Sequence, residues 1–271
     1  MAPVLYRGTR SGAEGRARDW AEIQERMLVP LYETVYDRLE VGAGTRLLSL
    51  GCGSGLALLL AAARGATVTG CEADEERLAL ARERLLPEPR WGAPAGARAR
   101  TRLLPCGLRE PAGDFDLVTA FDPAVPAAEL LPALRAATGR AARGRTVVLA
   151  GWGPPERCAT SRVLRIAARL AEPRGPAACE PRLSGRDDLE DLARAAGLRP
   201  DGSGRVSCPF GYPDPASAVR GLVSTGLFDA AAEATDQQQV EKEIAEALHP
   251  YRRPDGSVRM ENVFRYVIAR G

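Results

Sequence analysis

Histidine and lysine are almost missing from this 271-residue chain: His249 and Lys242 are the sole examples. One histidine excludes any site that needs two, including most catalytic zinc sites. Aromatics make up only 5% of the residues, so each one carries more information. The six cysteines, Cys52, Cys71, Cys106, Cys158, Cys179 and Cys208, form no C-x-x-C. No Cys/His cluster has zinc spacing, and no metal site is expected. Several cysteines sit in apolar runs, where a thiol acts as a small hydrophobe. Reduced thiols and a cytoplasmic location are expected. No run approaches the ~18 apolar residues that a membrane span needs. Met1 to Arg18 has no apolar core and does not read as a signal peptide; Met1 to Gly12 is expected to be mobile. The net charge is only +2, and no basic block occurs. That argues against nucleic acid and membrane as partners.

Apolar residues make up 45% of the chain, enough for one large folding unit. Trp20, Ile23, Met27, Leu28, Leu31, Val35 and Leu39 recur at helical spacing, and Pro30 predicts a kink or break there. Strands are then expected at Arg46–Leu50, Thr67–Cys71, Arg100–Leu104, Phe115–Phe121 and Thr146–Gly151. Helices are expected at Ser54–Arg64, at Asp74–Leu86 with Asp74 as its cap, and at Ala127–Ala142. Pro87 to Ala99 reads as a loop. This alternation predicts an α/β fold, a parallel sheet covered by helices on both faces. Further helices are expected at Cys158–Leu170 and Ser184–Ala196, the latter capped by Ser184. Late strands are expected at Ser203–Cys208 and Asn262–Ala269, with a helical stretch, Asp214–Leu248, between them.

The chemistry centres on Gly51-Cys52-Gly53-Ser54-Gly55. A strand runs into it and a helix leaves it. Glycines there permit positive φ and close approach of a ligand to the backbone. The helix start offers unpaired N–H groups. The spacing is G-x-G-x-G, not the G-x-G-x-x-G that seats a pyrophosphate. Glu72 ends the next strand, 17 residues after Gly55. A carboxylate there can accept both hydroxyls of a ribose.

Loop and acid together resemble class I S-adenosylmethionine-dependent methyltransferases. Trp20 to Leu31, Phe115 to Val118, Val147 to Glu156 and Asp255 to Ala269 look like a bacterial small-molecule group within it, including ubiquinone and natural-product enzymes. The resemblance implies a Rossmann-like, mostly parallel seven-stranded sheet flanked by helices. It implies cap helices within residues 1–44, a methyltransferase domain at 45–271 and a helical insertion at about 209–250, all one folding unit. It implies S-adenosyl-L-methionine as cofactor, with S-adenosyl-L-homocysteine as product. The cofactor residues expected are Gly51, Cys52, Gly53, Gly55, Glu72, Ala73, Cys106, Gly107, Phe121 and Trp20. Two positions depart from the family pattern. Ser49 stands where the first strand usually carries an acid, and Cys106 stands near the usual acid for the adenine amino group. Trp20 either packs over the cofactor or makes a helix–core contact.

Methyl transfer from a sulfonium is an in-line displacement, so alignment and desolvation supply much of the catalysis. Asp122, after the fourth strand, is either a base or orienting acceptor, or a turn-capping acid before Pro123. His249 is a base only if it faces the cleft. Trp152, Glu156, Tyr32, Phe210 and Tyr251 are candidate pocket walls; core or structural roles stay open for each. The expected activity is methyl transfer to O, N or C of a small molecule, by a monomer or homodimer. The alternatives are a cyclase or other non-methylating catalyst on this fold, and a non-catalytic binding protein.

Overall fold

The computed structural model describes residues 12–86, 100–106, 113–138, 144–170 and 185–271. The expected mobile start (Gly12 apart), the Pro87–Ala99 loop, Gly107, Cys179 and Ser184 lie outside these residues. The strands are β1 (Arg46–Leu50), β2 (Thr67–Glu72), β3 (Thr101–Pro105), β4 (Leu117–Ala120), β5 (Thr146–Trp152), β6 (Arg199–Ser207), β7 (Phe210–Tyr212), β8 (Val258–Met260) and β9 (Val263–Arg270). Seven of them form one sheet in the order β3-β2-β1-β4-β5-β9-β6, as expected; β7 and β8 make a separate two-stranded sheet. The β3-to-β5 block is parallel, and β9 runs antiparallel between β5 and β6. The strand order reverses direction between β1 and β4. In open α/β sheets a crevice opens at that switch point, beyond the strands' carboxyl ends.

The helices follow from local chemistry. They are α1 (Gly12–Asp19), α2 (Val29–Arg38), α3 (Leu56–Ala63), α4 (Glu75–Leu85), α5 (Ala127–Thr138), α6 (Thr160–Leu170), α7 (Asp188–Ala195), α8 (Pro215–Val223), α9 (Asp229–Ala234) and α10 (Gln237–Ala247). Strong helix formers fill α3 (LALLLAAA). Asp74 caps α4 as expected: its carboxylate accepts from Glu76 N and Arg77 N at 2.9 and 3.0 Å. Asp214 and Asp236 cap α8 and α10 in the same way. Pro30 marks a boundary between two helical segments, as expected. It stands in the first turn of α2, where its missing N–H has no partner to lose. The N-cap of α7 is Asp187 rather than Ser184. The expected Asp214–Leu248 stretch is three helices, interrupted by left-handed Gly226 and by Asp236.

β1, β4 and β5 are buried nearly throughout, as strands covered on both faces must be. Leu48, Leu50, Val118, Leu134, Leu149 and Leu192 fill one face, under α5 and α7. Leu47, Val148, Tyr36, Leu58 and Phe264 belong to the other, larger core. Ser49 alternates with Leu48 and Leu50 and so shares the face of Leu47. The N-terminal turns and the inserted helices cover that face. No helix among the described residues is long and apolar enough to cross a membrane.

Leu134 is fully buried, whereas Leu59 is 38% exposed. Leu134→Ala is therefore expected to lower unfolding free energy by about 2–5 kcal/mol. Leu59→Ala should change it by less than about 0.5 kcal/mol. Urea denaturation of the two variants checks the assignment of faces.

Candidate functional site

Three glycines turn the chain at the end of β1. Gly51, Gly53 and Gly55 have φ of 65°, 58° and 81°, a region closed to most side chains. Gly55 also needs space: a Cβ there would meet Leu85 Cδ1 at 2.9 Å and Ala81 Cβ at 3.1 Å. The loop is tied to the end of β2. Cys52 N donates to Cys71 O (3.0 Å), and Gly53 N donates to Glu72 Oε2 (2.7 Å). Glu72 Oε1 accepts from Ala73 N (2.9 Å) and Asp74 N (3.0 Å). Burial pushes the Glu72 carboxyl above its usual range, against the pull of these N–H groups and of Arg77. A carboxylate has about four acceptor positions, so one holding three amides keeps room for a hydroxyl.

The N-terminal segment closes over this loop. Trp20–Gln24 is a π-helical turn and Glu25–Leu28 a 3₁₀ turn. Glu25 is only 2% exposed. Its Oε2 accepts from the Ser54 hydroxyl and from Arg84 Nη1 (2.9 Å). Arg84 Nη1 also donates to Ser54 O (2.9 Å) and Ser54 Oγ (2.7 Å). Burial raises the Glu25 carboxyl above its usual value, while Ser54 and Arg84 pull it down. A Cβ on Gly53 would stand 2.9 Å from Glu25 Oε1 and 3.1 Å from Trp20 Nε1. That indole N–H is buried and has no hydrogen-bond partner. Arg77 fastens the cap: its guanidinium lies over the Trp20 ring, 4.5 Å from the centroid. It also pairs with Asp122 (3.3 Å) and donates to Ser224 O (3.2 Å).

Two small cavities remain beside the loop. One, with a volume of about 10 Å³, is lined by Trp20, Glu25, Tyr32, Ser49, Gly51, Cys52, Gly53, Ala57, Phe121 and Asp122. The second, also about 10 Å³, lies between Trp20, Gln24, Trp152, Phe210 and Phe264. Its walls are mostly apolar. Trp152 packs on Phe264 (4.6 Å between ring centroids) and on Phe210 (6.0 Å), and its Nε1 is buried without a partner. Two buried indole N–H groups without partners are donors that a polar ligand would satisfy. The loop, Glu72 and the orphaned Trp20 N–H therefore fit a nucleoside with a polar tail.

The expected residues separate into groups. Gly51, Cys52, Gly53, Phe121, Trp20, Tyr32 and Asp122 meet at the first cavity; Trp152 and Phe210 meet at the second. Burial pushes the Cys52 thiol and the Tyr32 phenol well up, so neither is ionised near neutrality. Asp122 Oδ1 accepts from Ala124 N (2.9 Å), so it caps its turn as well as pairing with Arg77. Glu156 and Tyr251 line a separate open groove with Arg157, Arg162 and Asn262. His249 is exposed on the turn after α10 and lines none of these cavities. One expectation is corrected: Cys106 is not a free thiol at the adenine side but is disulfide-bonded to Cys71. The β2–β3 pairing brings their Cα atoms to 5.1 Å, and Cys106 N donates to Glu72 O at 2.9 Å. Among the described residues, no three His, Cys, Asp or Glu side chains are placed to hold a metal ion.

Residues 48–143 match the family model described as a methyltransferase domain. The fold agrees with the resemblance to class I S-adenosylmethionine-dependent methyltransferases. A methyltransferase of Thiobacillus denitrificans, solved with S-adenosyl-L-homocysteine, superposes with TM-score 0.52 at 16% identity, over 93% of this chain and 96% of that one. The geranyl diphosphate C-methyltransferase of Streptomyces coelicolor gives 0.51 at 15%, over 97% and 86%. The [4+2]-cyclase SpnF gives 0.54 at 18%, over 89% and 80%. At such identities the likeness is one of fold. No curated protein sequence matches the chain.

Glu25, Arg77 and Arg84 were not legible as site residues. At about 3.6 residues per turn, Glu25 falls off the face of Trp20. The π-helical turn, with Glu25 N bonded to Trp20 O, swings it inward. Arg77 and Arg84 lie on α4, where long polar residues ordinarily face solvent. The Arg77–Asp122 pair has side chains 15% and 7% exposed. A double-mutant cycle with Arg77→Met and Asp122→Asn should give a coupling of about 1–2 kcal/mol in urea unfolding. A coupling near zero would remove Arg77 from the account of cap closure.

Proposed function

We propose that the chain is an S-adenosyl-L-methionine-dependent methyltransferase that moves the methyl group to O, N or C of a small molecule. One observation carries the reading: the left-handed glycine loop lies at the sheet's switch point, tied to a buried Glu72 and facing an orphaned Trp20 N–H. Glu72 is the residue for a ribose hydroxyl, and Gly51 to Gly55 bring the backbone against the rest of the cofactor. Ala73 and Phe121 border it. When bound, the cofactor supplies an activated methyl group on a sulfonium. The chain's own part is to bind, orient and keep water out.

The aromatic cavity of Trp152, Phe210 and Phe264 is the proposed acceptor side and favours an apolar acceptor. Its partnerless Trp152 N–H can fix one acceptor oxygen. Among the expected bases, Asp122 is the one at the loop. It is held by Arg77 and Ala124 N, so it can accept a proton only by loosening that pair. An acceptor that loses its proton easily suits such a site.

The second reading is a non-methylating catalyst or a binding protein. The small volume over the loop favours it, because Trp20 and Glu25 occupy space there. Titration calorimetry of S-adenosyl-L-homocysteine into the full chain separates the readings. Saturable 1:1 binding is expected, and weakened at least about tenfold in Glu72→Ala, which removes a charged acceptor. No binding at millimolar ligand would rule out the first reading. With an acceptor in hand, a product heavier by one methyl supports transfer, and an isomeric product supports a cyclase.

A further inference from the structure

Ser49 removes a negative charge from the end of β1. The side chain is 1% exposed, on the cavity wall beside Glu25, and a hydroxyl there cannot neutralise a cation. Each of the three acids near the loop already has partners. Glu72 holds three backbone amides, and Asp122 holds Arg77 and Ala124 N. Glu25 is different. Its Oε2 carries the Ser54 and Arg84 contacts, while Oε1 is directed at Gly53. The Leu56 N–H at the start of α3 also bears on this carboxylate. Beside it is a buried donor, Trp20 Nε1, without an acceptor. An anionic acceptor and a neutral donor thus flank one point above Gly53, 2.9 and 3.1 Å from where its Cβ would stand.

Such a pair is complementary to a zwitterion. We infer that Glu25 and Trp20, on the N-terminal turns, read the amino-acid head of the cofactor: Glu25 accepts from its α-ammonium and Trp20 Nε1–H donates to its α-carboxylate. The inference rests on the methyltransferase reading and assigns to the cap a charge that β1 lacks. It also gives the cap a reason to close on a loaded site: the groups that recognise the head are the ones that cover it. The Arg77 stack on Trp20 fixes the indole plane and so aims its N–H.

The test compares S-adenosyl-L-homocysteine with 5′-methylthioadenosine, which shares the nucleoside and sulfur but lacks the amino-acid head. Affinities are measured by calorimetry on the full chain. Wild type is expected to prefer S-adenosyl-L-homocysteine. Glu25→Gln should weaken that ligand by about tenfold to a hundredfold, the value of one hydrogen bond to a charged group. Its affinity for 5′-methylthioadenosine should stay within about twofold. Trp20→Phe keeps a ring for Arg77 and removes the N–H, and should show the same selective loss at about threefold to tenfold. It decides the matter if Glu25→Gln fails to fold. Equal loss of both ligands, or unchanged discrimination, overturns the inference and leaves the methyltransferase reading intact. Failure of wild type to bind either ligand overturns that reading, and this inference with it.

Discussion

A single buried carboxylate organises the centre of this molecule. Glu72 ends β2, and three backbone N–H groups converge on it, one from the glycine loop and two from its own turn into α4. Burying a carboxylate is costly unless hydrogen bonds compensate. Here they do, and they join two consecutive strand ends at the place where strand order reverses. The loop's left-handed glycines are required by the same geometry. A side chain at Gly53 would strike the cap, and one at Gly55 would strike α4. Loop, buried acid and helix start are therefore one construction.

The cap is held to that construction by charge. Arg84 joins Glu25 and Ser54 below it, and Arg77 joins Trp20, Asp122 and Ser224 at its edge. Ion pairs so little exposed are costly to leave half broken. They suit a part that must be either closed or open. In the closed form the space over the loop is small, so entry of a nucleoside-sized ligand requires the N-terminal turns to move.

Most of the sheet was legible in the sequence because its strands are short apolar runs separated by capped helices. Asp74 announced α4, and the glycine spacing with Glu72 announced the site. What was not legible has physical causes. Glu25 is turned inward by a π-helical turn that no 3.6-residue period describes. The β7–β8 pair joins segments 48 residues apart (Phe210 with Met260 at its end, and Tyr212 with Val258), and no local pattern shows such pairing. Cys71 and Cys106 meet because of strand register, which spacing alone does not reveal. Glu156 and Tyr251 follow the sheet's rim but belong to a different groove, and His249 is on the surface.

The account's central claim is that the glycine loop, Glu72 and the N-terminal turns form one cofactor site. A crystal structure of the full chain grown with S-adenosyl-L-homocysteine tests it most directly. The proposed reading places the ligand over Gly51 to Gly55, with a ribose hydroxyl on Glu72 and the Trp20–Leu28 turns re-closed on its amino-acid head. Ligand bound elsewhere, or an empty loop with Trp20 and Glu25 still packed on Gly53 at millimolar ligand, would contradict it.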